Sequence, residues 1–160
     1  MRTAIIFCWV FVITSWTLRA EAHWQYTRWG MTKGEVIAAS NGTAHLAENP
    51  SIYDSGLVAL LDGTYKSGDF SFTVKFLFDR NKKLARVMLE LEEMVKCTSL
   101  QRTMSDIYGP PKTTTEPGGI TKWRWWDEKN GNFVLLSDSP KVWCNIHYNP
   151  YVQPNQDGGL

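Results

Sequence analysis

The sequence predicts an α+β domain: two short helices packed on one face of an antiparallel sheet, in the order helix, three strands, helix, three strands. Three observations carry that prediction. The segments after Thr32 and after Thr98 place apolar residues at helical spacing between start and stop signals. Six other segments read as strands, the clearest with the period-two alternation of a half-buried sheet. They fall in two groups of three, one behind each helix, and strands with one apolar face need helices laid on that face.

The chain opens "MRTAIIFCWVFVITSWTLRAEA". Arg2 supplies a positive start, Ala4 to Trp16 form an apolar run of 13 residues, and Ala20-Glu21-Ala22 fits a small-residue cleavage site. The run is shorter than the roughly 20 residues a membrane span needs. Residues 1–22 are therefore expected to be a signal peptide, residues 23–148 a single domain, and residues 149–160 a flexible Pro/Gly/polar tail. Cys8 lies inside the apolar run rather than after it, which speaks against a lipid-modified start.

The elements of the mature chain follow in order. Thr32-Lys33-Gly34-Glu35 reads as a capping box, Val36 and Ile37 continue a helical face, and Asn41-Gly42 is a stop signal. The polar residues 43–56, broken by Pro50, read as an irregular connection. Leu57–Tyr65 is a first strand. Phe70, Phe72, Val74, Phe76 and Phe78 then occupy every second position of a second, and Ala85, Val87, Leu89 and Leu91 give the buried face of a third. A second capping box is expected at Thr98-Ser99-Leu100-Gln101, with Leu100, Met104 and Ile107 on one helical face and Gly109-Pro110-Pro111 as the stop. Residues 112–121 read as a loop. The strands 122–126, 132–138 and 141–148 complete the domain.

Charge and cysteines narrow the function classes. Without the first 22 residues the chain carries 15 basic and 15 acidic residues, scattered rather than striped, so nucleic acid is excluded as an expected partner. The mature chain keeps Cys97 and Cys144, an even pair in an exported protein, and they are expected to form a disulfide. No Cys-x-x-Cys or His-x-x-x-His spacing supports a metal site, and no cofactor is expected. Neither G-x-S-x-G, H-E-x-x-H nor a phosphate-binding glycine loop is present. Glu90, Glu92 and Glu93 cluster by sequence adjacency, which does not provide the opposed pair of a glycosidase. Catalysis is not expected.

The candidate site rests on tryptophan. On the last strand Trp143 and His147 alternate with Cys144, whose bond to Cys97 assigns it the helix-covered side. Trp143 and His147 then face the open side, joined there either by Arg124 with Trp126 or by Trp123 with Trp125. The binding surface is assigned to Trp143, His147, Arg124 and Trp126, since aromatics with an arginine suit a protein, a peptide or a sugar ring.

"GMTKGEV" after Trp29, with "YGPP" and the later "KWRWWD", resembles the superfamily of the β-lactamase-inhibitor-protein fold and the small outer-membrane assembly lipoproteins of SmpA/OmlA, or BamE-like, type. The resemblance implies a binding or inhibitory module acting through protein contacts. The assembly lipoproteins begin with an acylated cysteine, whereas His23 stands here, so the resemblance implies a member with no stable membrane anchor. The expectation is an exported, periplasmic or secreted, non-catalytic protein-binding module, of inhibitor or envelope-accessory type, whose partner is another extracytoplasmic protein. An extracytoplasmic carbohydrate-binding protein or hydrolase using the Trp-rich strands is the alternative.

Overall fold

Alternating side chains bury one face of a strand, and here they assemble into one continuous sheet. The computed structural model describes residues 23–53 and 56–151. The signal-peptide reading over residues 1–22 lies outside the described residues. The elements run α1 (Lys33–Ala39), β1 (Ala44–Ile52), β2 (Val58–Ser67), β3 (Phe70–Phe78), β4 (Leu84–Leu91), α2 (Cys97–Tyr108), β5 (Thr113–Thr115), β6 (Thr121–Asp127), β7 (Asn132–Ser139) and β8 (Trp143–Pro150). Eight antiparallel strands lie in the order β1-β2-β3-β4-β8-β7-β6-β5. Each half is a helix followed by a four-stranded meander, and the halves meet where β8 pairs with β4.

This overturns the predicted α+β arrangement of helix, three strands, helix, three strands. The sheet dominates, and the helices are two short elements. The missing strands are the two sheet edges, and their sequences show why. β1 is exposed along most of its length and contains Pro50, which an edge strand tolerates because one row of its amides has no partner to lose. Its pairing with β2 shifts register between Leu46 and Ser51, so no clean alternation survives. β5 is three exposed threonines with no apolar face at all. The expected tail from Asn149 also needs correction. Asn149 and Pro150 belong to β8, opposite Phe133 and Asn132, the Tyr151 amide donates to the Gly131 carbonyl at 2.9 Å, and residues 152–160 lie outside the described residues.

The core lies between the sheet and both helices. Val36 of α1 and Cys97, Leu100 and Met104 of α2 join Phe72, Val74, Phe76, Val87, Leu89, Trp125, Val134, Leu136 and Ile146 in one buried cluster. Each large apolar side chain buried there contributes roughly 1.5–3 kcal/mol. The β3 alternation is as the sequence predicts. On β4 a bulge shifts the register, so that Leu84 rather than Ala85 fills the core opposite Phe78. A smaller cluster of Ala59, Leu77 and Met88 sits on the other face, covered by Tyr53 and Leu57.

The Thr32–Glu35 capping box forms with both halves present. The second box does not. α2 begins at Cys97, directly from a 3-10 turn over Met94–Lys96, with no side-chain cap, and Gln101 donates to the Ser105 hydroxyl at 3.0 Å. Gly109, at φ 78°, ends α2 as predicted. Its carbonyl accepts the Trp125 indole N–H at 2.9 Å, which ties the end of the helix to the sheet. Cys97 and Cys144 form the expected disulfide, closing a separation of 47 residues. Among the described residues no helix is long and apolar enough to cross a membrane.

Candidate functional site

Strand register decides which side chains share the helix-free face. His147 of β8 lies opposite Met88 of β4 and Leu135 of β7, and Leu135 lies opposite Arg124 of β6. Arg124 therefore shares His147's face, while Trp125, one residue further along β6, points to the other side into the core and is almost fully buried. Of the two pairs the sequence left open, Arg124 with Trp126 faces the open side.

The four assigned residues are not brought into one cluster. Trp126 stands edge-on to Phe133, with ring centroids 5.8 Å apart, in the row next to Arg124 and His147. The Arg124 guanidinium reaches away toward the sheet edge, donating to the Thr115 hydroxyl at 3.0 Å. Trp143 is four residues up β8 from His147, or roughly 13 Å at the rise of a strand. It forms a separate group at the end of the sheet, in a recess of about 300 Å³ with Glu90, Glu92, Met94 and Val142. The apolar residues there are unusually open: Val142 is 65% exposed, and Val95 beside Met94 is 91% exposed.

The carboxylates on this face form an ion network. The Lys75 ammonium lies 3.5 Å from Asp62 and 4.0 Å from Glu90. Burial raises the Glu90 pKa above the ordinary carboxylate value, Lys75 opposes that rise, and Asp62 adds to it. Arg86 donates to the Asn149 side chain at 2.7 Å. The Asp138 carboxylate lies within 4.8 Å of both disulfide sulfurs, but those sulfurs are bonded to each other and offer no thiolate ligand.

The opposite face holds a feature the sequence reading missed. Residues 23–27 form a hook: the His23 amide donates to the Thr27 carbonyl at 2.9 Å and the Thr27 amide to the Trp24 carbonyl at 2.8 Å. Asn132, almost fully buried, anchors the hook to β7. Its side-chain oxygen accepts the Trp29 indole N–H at 3.2 Å, and its amide donates to the His23 carbonyl. Between the hook and α2 lies a cleft of about 320 Å³, lined by Trp24, Tyr65, Phe72, Tyr108, Tyr148 and Asp127 among others. Tyr148 could be placed on the Cys144 side from alternation alone. Trp24 and Tyr108 carried no such signal, because neither lies on a strand.

No protein family matches the chain, and comparison with curated proteins gives no match. Among solved structures, the chain is similar to a DUF4309 family protein (YjgB) from Bacillus subtilis subsp. subtilis str. 168. The two are 13% identical, the similarity covers 74% of this chain and 78% of that one, and the TM-score is 0.47.

Proposed function

We propose that this chain is an exported, non-catalytic protein-binding module that contacts its partner through the end of the helix-free face around Trp143. The observation that carries this reading is the recess itself. A half-buried tryptophan stands among exposed Met94, Val95 and Val142, with Glu90 and Glu92 at the rim. An aromatic anchor in an apolar patch ringed by charge is the arrangement that concentrates binding energy in protein interfaces. The charge at the rim selects a partner that presents an apolar side chain flanked by lysine or arginine. Arg124, Trp126 and His147 extend the surface along the same face. The sequence resemblance to inhibitor and assembly modules supports the same reading, and the Cys97–Cys144 disulfide is the chemistry of an oxidising compartment.

The test is capture from the secreted and envelope fractions of the source cell on immobilised mature protein. Wild type is expected to retain one protein stoichiometrically, with affinity falling at least about 30-fold for Trp143→Ala and also for the double reversal Glu90→Lys, Glu92→Lys. Ile107→Ser, on the helix side, is expected to change nothing. A captured partner that binds Trp143→Ala as tightly as wild type removes this surface.

A further inference from the structure

The cleft on the helix-bearing face is remote from Trp143 and has its own chemistry. Its volume of about 320 Å³ lies at the lower end of small-molecule sites. Phe72, Leu89 and Ile146 of the sheet, with Leu100 and Met104 of α2, give it an apolar interior. Trp24, Tyr65, Tyr108 and Tyr148 wall it. These rings are not coplanar: Trp24 stands at 75° to Tyr65 and at 44° to Tyr148. They enclose a volume rather than forming a flat platform, which suits a compact group more than the face of a sugar.

The titratable polar lining is small. Asp127 is its carboxylate, neither lysine nor arginine lines the cleft among the described residues, and the histidine there, His23, has its Nδ1 engaged in accepting the Trp29 amide at 2.9 Å. The Asp127 oxygens accept from the Asn130 side-chain amide at 2.9 and 2.8 Å, and one accepts from the Asn130 backbone at 3.3 Å. A carboxylate has about four acceptor sites, so these three bonds do not exhaust it. The Tyr108 and Tyr148 hydroxyls meet at 3.4 Å. Ile107, which helical spacing assigns to the buried stripe, instead lies 67% exposed on the cleft's lining. An anion placed here would face a carboxylate and the electron-rich faces of aromatic rings, with no lysine or arginine to balance it. A cation with an apolar body meets both favourably.

We propose that this cleft binds an organic cation, a compact alkyl- or arylammonium group enclosed by Trp24, Tyr65, Tyr108 and Tyr148 and balanced by Asp127. The test uses mature wild-type protein titrated with choline and with benzyltrimethylammonium, followed by calorimetry and by the Trp24 indole resonance. The neutral isostere 3,3-dimethylbutan-1-ol and the anion 3,3-dimethylbutanoate are the comparisons. At least one cation is expected to saturate and shift Trp24, with the alcohol about 10-fold weaker or more and the anion inert. Asp127→Asn keeps an oxygen acceptor for Asn130 but removes the charge, and Ile107→Arg adds a cation at an exposed position. Each is expected to weaken cation binding about 10-fold without moving the melting temperature, whereas Trp143→Ala leaves it unchanged. The proposal is overturned if neither cation shifts Trp24 in wild type, if the alcohol binds as tightly as the cations, or if both variants bind like wild type.

Discussion

The Thr32 amide donates to the Glu35 carboxylate at 2.7 Å, and the Glu35 amide returns the bond to the Thr32 hydroxyl at 3.4 Å. These bonds close within four residues, which is why the start of α1 was readable from the chain alone. Thr32→Ala is expected to cost about 1 kcal/mol in urea unfolding. The Thr32 amide, and second the Thr32 hydroxyl donating to the same carboxylate at 2.8 Å, hold Glu35 below the ordinary carboxylate pKa. A lowered folded pKa contributes stability that is present above the unfolded value and is lost as pH falls through the folded one. Melting temperatures of wild type are thus expected to fall between about pH 5 and pH 3 by more than those of Glu35→Gln. Equal slopes would show that the carboxylate does not matter. Asn132 is the contrasting case, because its partners Trp29 and His23 lie 103 and 109 residues away. Nothing local marks this asparagine, and only the fold reveals that it holds the hook. Asn132→Leu is expected to cost about 2–4 kcal/mol by leaving those groups without it. A loss under about 0.5 kcal/mol would place the anchor elsewhere.

Elements were legible in proportion to how far they are buried. β3, with five apolar residues in phase on the core side, was read to the residue, while β1 and β5 were missed as strands. A sheet edge is paired along one side only and needs neither an apolar face nor every amide, so it erases the alternation by which strands are recognised. β1 is held where its start packs closely on β2. A Cβ built on Gly63 would lie 2.7 Å from the Thr43 carbonyl oxygen, immediately before Ala44, which pairs with Gly63. Gly63→Ala is therefore expected to destabilise by about 1–3 kcal/mol and to raise amide exchange in residues 44–46 first. Uniform exchange across the sheet would argue against a local clash. The disulfide joins the start of α2 to β8 across 47 residues of sequence. The Cys97→Ser, Cys144→Ser double variant is expected to lose about 4 kcal/mol in urea unfolding on the chain-entropy account.

At the scale of the molecule, the seam between β4 and β8 makes one sheet of two meanders. Leu89 lies opposite Ile146 in that seam and is almost fully buried on the core side. Because the core continues across the seam, unfolding is expected to be a single transition by tryptophan fluorescence and by circular dichroism. Leu89→Ala should lower its midpoint by the equivalent of about 2–5 kcal/mol. Two separated transitions would show that the halves fold independently. The same architecture explains which parts of the site were readable. Alternation with Cys144 placed Trp143 and His147 on the open face, because a strand sends successive side chains to opposite sides. Alternation could not choose between Trp126 and Trp125 without the pairing of β6 with β7, nor show that Trp143 stands apart from the other three residues. The cleft was beyond the sequence altogether, since the hook, β2, α2 and β8 that line it lie far apart in the chain. By itself the sequence determined the local features: the capped start of α1, the stop of α2, the buried phase of β3 and the cysteine pair. Tertiary structure alone decided the edge strands, the joining of the halves and the two recesses, because each depends on which distant strands become neighbours, and that choice is made by packing.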